Sequence, residues 1–202
     1  MFGHRNKESA LEWWENVGSK LSESDISDAF NNATPKQLKK AVKEAKKAAS
    51  ETPKDFRVWF ILGICYGKLE MFRSAIDALE HAAQIDPKHP IAWSLLGYAY
   101  HQINQVAFAI EAFKQAISIN SKDAASLNNL GNIYVRTRQF TKAIELLERA
   151  THIAPEYTLA WFNLGVSYIG ADQIHLAKEV HGRLKALDPA LANVFFTKGG
   201  LS

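Results

Sequence analysis

The chain is poor in the features that usually announce an enzyme, a secreted protein or a membrane protein. It has one cysteine in 202 residues, Cys65, which excludes an intramolecular disulfide. No apolar run reaches the ~18–20 residues of a membrane span. The opening Met-Phe-Gly-His-Arg-Asn-Lys-Glu-Ser lacks the apolar core of a signal peptide, so a cytoplasmic location is the expectation, with peripheral association on a membrane or organelle left open. There is no HExxH, no CxxC, no Gly-rich phosphate loop and no GxSxG. The histidines are scattered, and the closest pair on one predicted helix, His175 and His181, does not share a face. No nucleophile has a base beside it. The expectation is a non-enzymatic protein with no catalytic residues, no metal site and no cofactor. A net charge of +3 and 47% hydrophobic residues fit one soluble domain.

What the chain does have is self-similarity. Trp59, Trp93, Leu127 and Trp161 stand 34 positions apart, and each opens the same series. A Leu follows three on (Leu62, Leu96, Leu130, Leu164), a Gly four on (Gly63, Gly97, Gly131, Gly165) and a Tyr seven on (Tyr66, Tyr100, Tyr134, Tyr168). An Ala follows sixteen on (Ala75, Ala109, Ala143, Ala177), and twenty-eight on comes Pro87, Ser121, Pro155 or Pro189. Recurrence at this period is the signature of stacked supersecondary units, which build an extended surface and not an enclosed pocket.

Within one unit, Trp59, Leu62, Gly63 and Tyr66 fall at i, i+3, i+4 and i+7, one stripe of a helix. Ala75, Leu79 and Ala82 repeat that period on a second helix, which Pro87 ends. Gly63 is expected to face Ala75 and Ala82, small residues that let the two axes approach. A bulkier residue at Gly97 or Gly131 should overpack the pair by about 1–3 kcal/mol. These marker residues are read as packing, not as a functional site.

The recurring markers resemble those of the tetratricopeptide repeat over residues 56 to 191, in four contiguous repeats: 56–89, 90–123, 124–157 and 158–191. The resemblance implies an all-α, right-handed α-solenoid of helix hairpins whose first helices line a concave groove for an extended peptide or a partner's helix. Residues 25–55 read as a degenerate N-terminal repeat: Ala41, Ala45, Ala48 and Pro53 keep the second-helix positions, while Asp25–Ala33 has lost the first-helix markers. Thr34-Pro35-Lys36-Gln37 starts that second helix, with Thr34 as cap and Gln37 reaching back. In the fourth repeat Lys178 and His181 stand where earlier repeats have larger apolar residues, so the last helix should turn a polar back to water. Residues 192–202 form a cap and tail, with one or two turns expected near Phe195 and Phe196.

Carried over from the family, the groove-lining positions here are Phe60 and Ile64; Tyr98 and His101; Asn128, Asn129, Asn132 and Arg136; Phe162 and Asn163. The carboxylate clamp of chaperone-binding members needs Lys and Asn in one repeat and Lys and Arg two repeats on, and it is missing. Asn129 and Asn163 occupy equivalent positions and resemble the asparagine ladder of the O-linked GlcNAc transferase arm, where side-chain amides bind a peptide backbone. Packing or capping roles for these amides compete with that reading.

Two other features stand outside the repeats. Lys36, Lys39, Lys40, Lys43, Lys46 and Lys47 make one helix strongly basic against Glu44. A solvated face is the plain reading, and an electrostatic partner surface is the sharper one. The absence of arginine and of interleaved aromatics there disfavours nucleic acid. Upstream, within the segment 1–24, Ala10–Leu21 is an amphipathic helix pattern carrying Trp13 and Trp14, which either cap the array or dock on another copy. The stretch from Lys20-Leu21 to Asp28-Ala29-Phe30 is similar to the pre-repeat segment of the magnetosome-associated type of bacterial member. The leading expectation is therefore an interaction scaffold or adaptor that takes a protein or peptide in its groove. A self-assembling, organelle-associated homo-oligomer is the alternative.

Overall fold

The computed structural model describes residues 33–199. Segment 1–24, with Trp13 and Trp14, lies outside the described residues, as do nearly all of the expected first half of the degenerate repeat and residues 200–202. Every regular element among the described residues is an α-helix. In chain order they are α1 (Pro35–Glu51), α2 (Phe56–Lys68), α3 (Phe72–Ile85), α4 (Pro90–Gln102), α5 (Val106–Ile119), α6 (Ala124–Arg136), α7 (Phe140–Ile153), α8 (Thr158–Gly170), α9 (Ile174–Leu187) and α10 (Pro189–Gly199). The fold class is an all-α solenoid of helix hairpins.

From α2 to α9, helices of 13 and 14 residues alternate. Within each pair the turn has three residues, and its middle residue takes a left-handed backbone: Glu70 (φ 58°), Asn104 (φ 61°), Arg138 (φ 59°) and Asp172 (φ 60°). That conformation aims the next N–H back at the tyrosine carbonyl of the helix just ended. Met71 N donates to Tyr66 O at 2.9 Å, Gln139 N to Tyr134 O at 2.8 Å and Gln173 N to Tyr168 O at 2.8 Å. These bonds satisfy carbonyls that a helix end leaves open.

Side chains begin the first helices. Asp55 accepts from Arg57 N, His89 Nδ1 from Ala92 N, and Asp123 from Ala125 N and Ser126 N. Tyr157 stands in the same column and makes no such cap. At the start of α1, Thr34 accepts from Gln37 N while the Gln37 side chain accepts from Thr34 N, the reciprocal box expected from the sequence.

The chain divides into two compact units between Ile103 and Asn104. The break falls in a three-residue turn of ordinary length, so neither composition nor period marks it. In the first unit α1 packs on α2, α2 on α3 and α3 on α4, and α2 also meets α4. In the second unit α5 packs on α6, α6 on α7, α7 on α8 and α8 on α9, and α6 also meets α8.

Gly63 is tightly packed against the second helix of its pair. A Cβ there would come within 2.5 Å of Leu79, so the glycine accommodates that leucine, with Ala75 and Ala82 fully buried on the same helix. Gly131 does the same for Leu147, at 2.7 Å. Cys65 is fully buried, and desolvation pushes its thiol up to about 12, so it is protonated packing.

The C-terminal end departs from expectation. Pro189 does not only follow α9: it is the first residue of the eleven-residue α10, and Asp188 caps it by accepting from Leu191 N at 2.9 Å. Helix α10 packs on α8 and α9. Phe195 is buried over Gly165, where a Cβ would come within 2.5 Å of its ring. His181 is half-buried with its ring 5.1 Å from that of Phe196, while Lys178 is exposed. The segment expected to cap this end with one or two turns near Phe195 and Phe196 is thus an eleven-residue helix.

Candidate functional site

In each unit the first helices carry candidate residues of their own. In the first unit α2 and α4 are neighbours. Phe60 is 4% exposed, stacked on Phe56 at 5.2 Å and edge-on to His89 at 4.9 Å. Most of that ring is therefore spent on packing. Ile64 and His101 are half-buried. Tyr98 is different: it is 43% exposed, with its ring edge against Phe72 at 6.2 Å. Among the predicted residues of this unit it offers the most surface.

In the second unit, α6 and α8 lie side by side and their amides are linked. Asn132 Nδ2 donates to Asn163 Oδ1 at 3.2 Å, Asn163 Nδ2 to Asn128 Oδ1 at 2.9 Å, and Asn128 Nδ2 to Tyr157 Oη at 3.1 Å. The four side chains form a relay from one first helix to the next. Asn128 is only 4% exposed, so its amide is committed inside the protein. Asn132 and Asn163 are half-buried and keep capacity for another partner: each Nδ2 carries a second N–H, and among the described residues no hydrogen bond reaches Asn132 Oδ1. Asn129, beside Asn128, is half-buried, and Arg136, one turn beyond Asn132 on α6, is exposed.

Apolar surface accompanies these amides. Leu159, on α8 four residues before Asn163, is 53% exposed. Phe162 is half-buried with its ring edge against Phe195 at 5.8 Å. Sequence reasoning did not nominate Leu159 or Tyr157. A signal for Tyr157 existed: it interrupts the column of caps formed by Asp55, His89 and Asp123. Burial raises its phenol above the usual range, partly offset by the Asn128 hydrogen bond.

All six lysines of α1 are exposed. Glu44 lies 3.8 Å from Lys40, Glu51 lies 3.9 Å from Lys47, and Lys46 sits over the Tyr66 ring at 5.7 Å. Among the described residues no three His, Cys, Asp or Glu side chains gather as a metal site, and no helix is long and apolar enough to cross a membrane.

Comparison with known proteins agrees with the helix pairs. Residues 99–137 match the family described as TPR repeat, and residues 124–157 and 56–89 each match a family described as tetratricopeptide repeat. No curated protein sequence matches the chain. Among solved structures, MamA is similar at 23% identity and a TM-score of 0.67, over 90% of this chain and 99% of that one. YrrB, described as a TPR protein with an unusual peptide-binding site, is similar at 20% identity and 0.70, over 93% and 91%. MamA from Desulfovibrio magneticus RS-1 is similar at 19% identity and 0.72, over 92% and 97%. At these identities the likeness is one of fold. With markers in register every 34 residues and family matches over 56–89 and 99–157, those residues are tetratricopeptide repeats.

Proposed function

We propose that the protein is a non-enzymatic interaction scaffold that binds an extended peptide or partner helix along its first-helix faces. The observation that carries this reading is the pairing of α6 and α8. Their linked amides keep open donors and an acceptor, beside an exposed Arg136 and a largely exposed Leu159. Amides suit peptide backbone because each peptide unit offers one donor and one acceptor. A mostly exposed leucine and a half-buried phenylalanine supply the apolar anchors that amides alone lack. In the first unit, Tyr98 offers a comparable anchor. That YrrB, of the same fold, is described as having a peptide-binding site supports the reading.

The test is selection of binding peptides from a random library against the full chain, followed by affinity measurement on a variant. Asn129→Ala, Arg136→Glu and Leu159→Ser spare the Asn128–Tyr157 relay, so helicity should be unchanged. Affinity should fall at least tenfold, the size expected when an anchor and its flanking polar contacts are lost together. Undiminished binding of every selected peptide would refute the site.

A further inference from the structure

The strongest charge feature outside the first-helix faces is the outer side of α1. Leu38, Ala45, Ala48 and Ala49 are buried as α1 packs on α2. At about 100° per residue, Lys36, Lys40, Lys43 and Lys47 fall in one stripe roughly 60° wide on the opposite side. All four are exposed. Their spacing of four, three and four residues sets one ammonium group on each helical turn, over a rise of about 16 Å. Residues 52–103, the rest of this unit, carry five Lys or Arg and five Asp or Glu, whereas α1 carries six lysines and two glutamates. The positive excess of the unit's described residues therefore sits on one helix.

The two edges of the stripe differ. Glu44 and Glu51 lie along one edge, 3.8 Å from Lys40 and 3.9 Å from Lys47, pairs that exposure and salt leave weak. Lys39 and Lys46 lie along the other edge, with Lys46 over the Tyr66 ring at 5.7 Å. Among the described residues no ion pair reaches Lys36, Lys39 or Lys43.

This pattern selects among anionic partners. A helix with one carboxylate per turn matches the stripe along its whole length, at about 5.5 Å per step. An extended chain brings groups back to one side only every 6.7 Å or so, and is about 3–4 Å out of register after three steps. Helices α1 and α3 both pack on α2, and α3 exposes Asp77 and Glu80, carboxylates that a flat anionic lipid surface spanning both helices would meet. The outer side of α1 also has no large apolar side chain to insert into lipid. For nucleic acid, α1 offers neither arginine nor an aromatic ring to stack on.

We propose that the outer side of α1 docks an acidic α-helix of a partner protein, with carboxylates at the same spacing of four, three and four residues. Repulsion from Glu44 and Glu51 shifts that helix towards Lys39 and Lys46, so that all six ammonium groups face it. This surface lies apart from the first-helix faces, so it goes beyond the peptide-binding reading and stands or falls separately.

The test is fluorescence anisotropy of the full chain at low ionic strength, with two fluorescein-labelled helical peptides of one alanine, glutamine and glutamate composition. The first carries four glutamates at the matching spacing. The second carries them two residues apart, on opposite sides of the helix. Each matched exposed pair contributes a factor of roughly 1.5 to 5, so the first peptide should bind about fivefold more tightly than the second. Its affinity should fall at least tenfold in Lys36→Gln/Lys40→Gln/Lys43→Gln/Lys47→Gln protein and stay within about twofold when the same four lysines become arginine. It should be unchanged in Asn129→Ala/Arg136→Glu/Leu159→Ser protein. Equal binding of the two peptides, or no binding of either, would overturn the helical match. Undiminished binding to the glutamine variant, or loss in the Asn129→Ala/Arg136→Glu/Leu159→Ser protein, would place the peptide elsewhere and overturn the site. Phosphatidylserine vesicles or a labelled oligothymidine that bind more tightly than the first peptide, and depend on the same lysines, would reassign the stripe to lipid or nucleic acid and overturn the proposal.

Discussion

Trp161 donates its indole N–H to the carbonyl of Pro155 at 2.8 Å, tying the marker tryptophan of one repeat to the proline near the end of the repeat before it. Trp93 and Pro87, and Trp59 and Pro53, make the same bond at 2.9 Å. The junction without it has Leu127 and Ser121 in place of Trp and Pro, so both members of the pair changed together. There the Ser121 carbonyl accepts from Arg149 at 3.4 Å, and Leu127 packs in a cluster with Ala150 and Ala160. Replacing Trp161 with Phe should cost about 0.5–1.5 kcal/mol from the lost hydrogen bond, beyond a smaller loss of packing. Urea unfolding of the variant checks it, and an unchanged midpoint would count against the bond as a junction tie.

Glycines at different places in the repeat should respond with opposite signs. Gly131→Ala forces a methyl against Leu147 and should destabilise by about 1–3 kcal/mol. Gly67 and Gly182 have nothing within 4 Å of a built Cβ, so Gly67→Ala and Gly182→Ala should stabilise by about 0.5–1 kcal/mol through helix propensity. Thermal melts of the three variants decide between them.

The relay in the second unit should separate structural from ligand-facing amides. Tyr157→Phe removes the acceptor of Asn128 Nδ2 and leaves a buried donor open, at a cost of about 1–3 kcal/mol. Asn129→Ala should change stability by less than about 0.5 kcal/mol, as a surface substitution does. Denaturant titrations that rank the two the other way would mean that the relay is not the structural element.

Two pH limbs follow from the ionisable groups. Arg57 holds the Asp55 carboxyl below its ordinary value of 3.8, chiefly by side-chain hydrogen bonding. A lowered folded value contributes stability above the unfolded pKa and loses it as pH falls below about 4. Asp55→Asn should flatten that acid limb. At the other end, burial and the Glu148 carboxylate, which accepts from Tyr168 Oη at 2.6 Å, hold the Tyr168 phenol above its ordinary 10.0. Its contribution is complete below pH 10 and is lost as pH rises further, so Tyr168→Phe should show a shallower loss of stability above about pH 10. Stability against pH for the two variants checks both signs.

The repeat was legible because bulky and tiny side chains serve the same neighbours every 34 residues, and the helix pairs appear where the markers put them. The cap at Thr34 was legible for a similar reason: its two bonds are local in sequence. Contacts between distant residues were not. That the atoms nearest to Gly63 belong to Leu79 was not visible, because which residue of the second helix comes closest depends on how the two helices are rotated. Phe195 reaching over Gly165 made α10 a packed helix of eleven residues, longer than the one or two turns expected there. For the site, the asparagines were visible in sequence, but their division of labour was not. Asn128 turns inward to Tyr157 while Asn129 does not, a difference set by one step of 100° around α6.

The most direct measurement of the central claim is amide and methyl NMR shift mapping of the full chain with a library-selected peptide. The account predicts that the largest shifts fall on the first helices, at Tyr98, Asn129, Asn132, Arg136, Leu159 and Asn163. Shifts concentrated on second helices α3, α5, α7 and α9, with these residues unmoved, would contradict it.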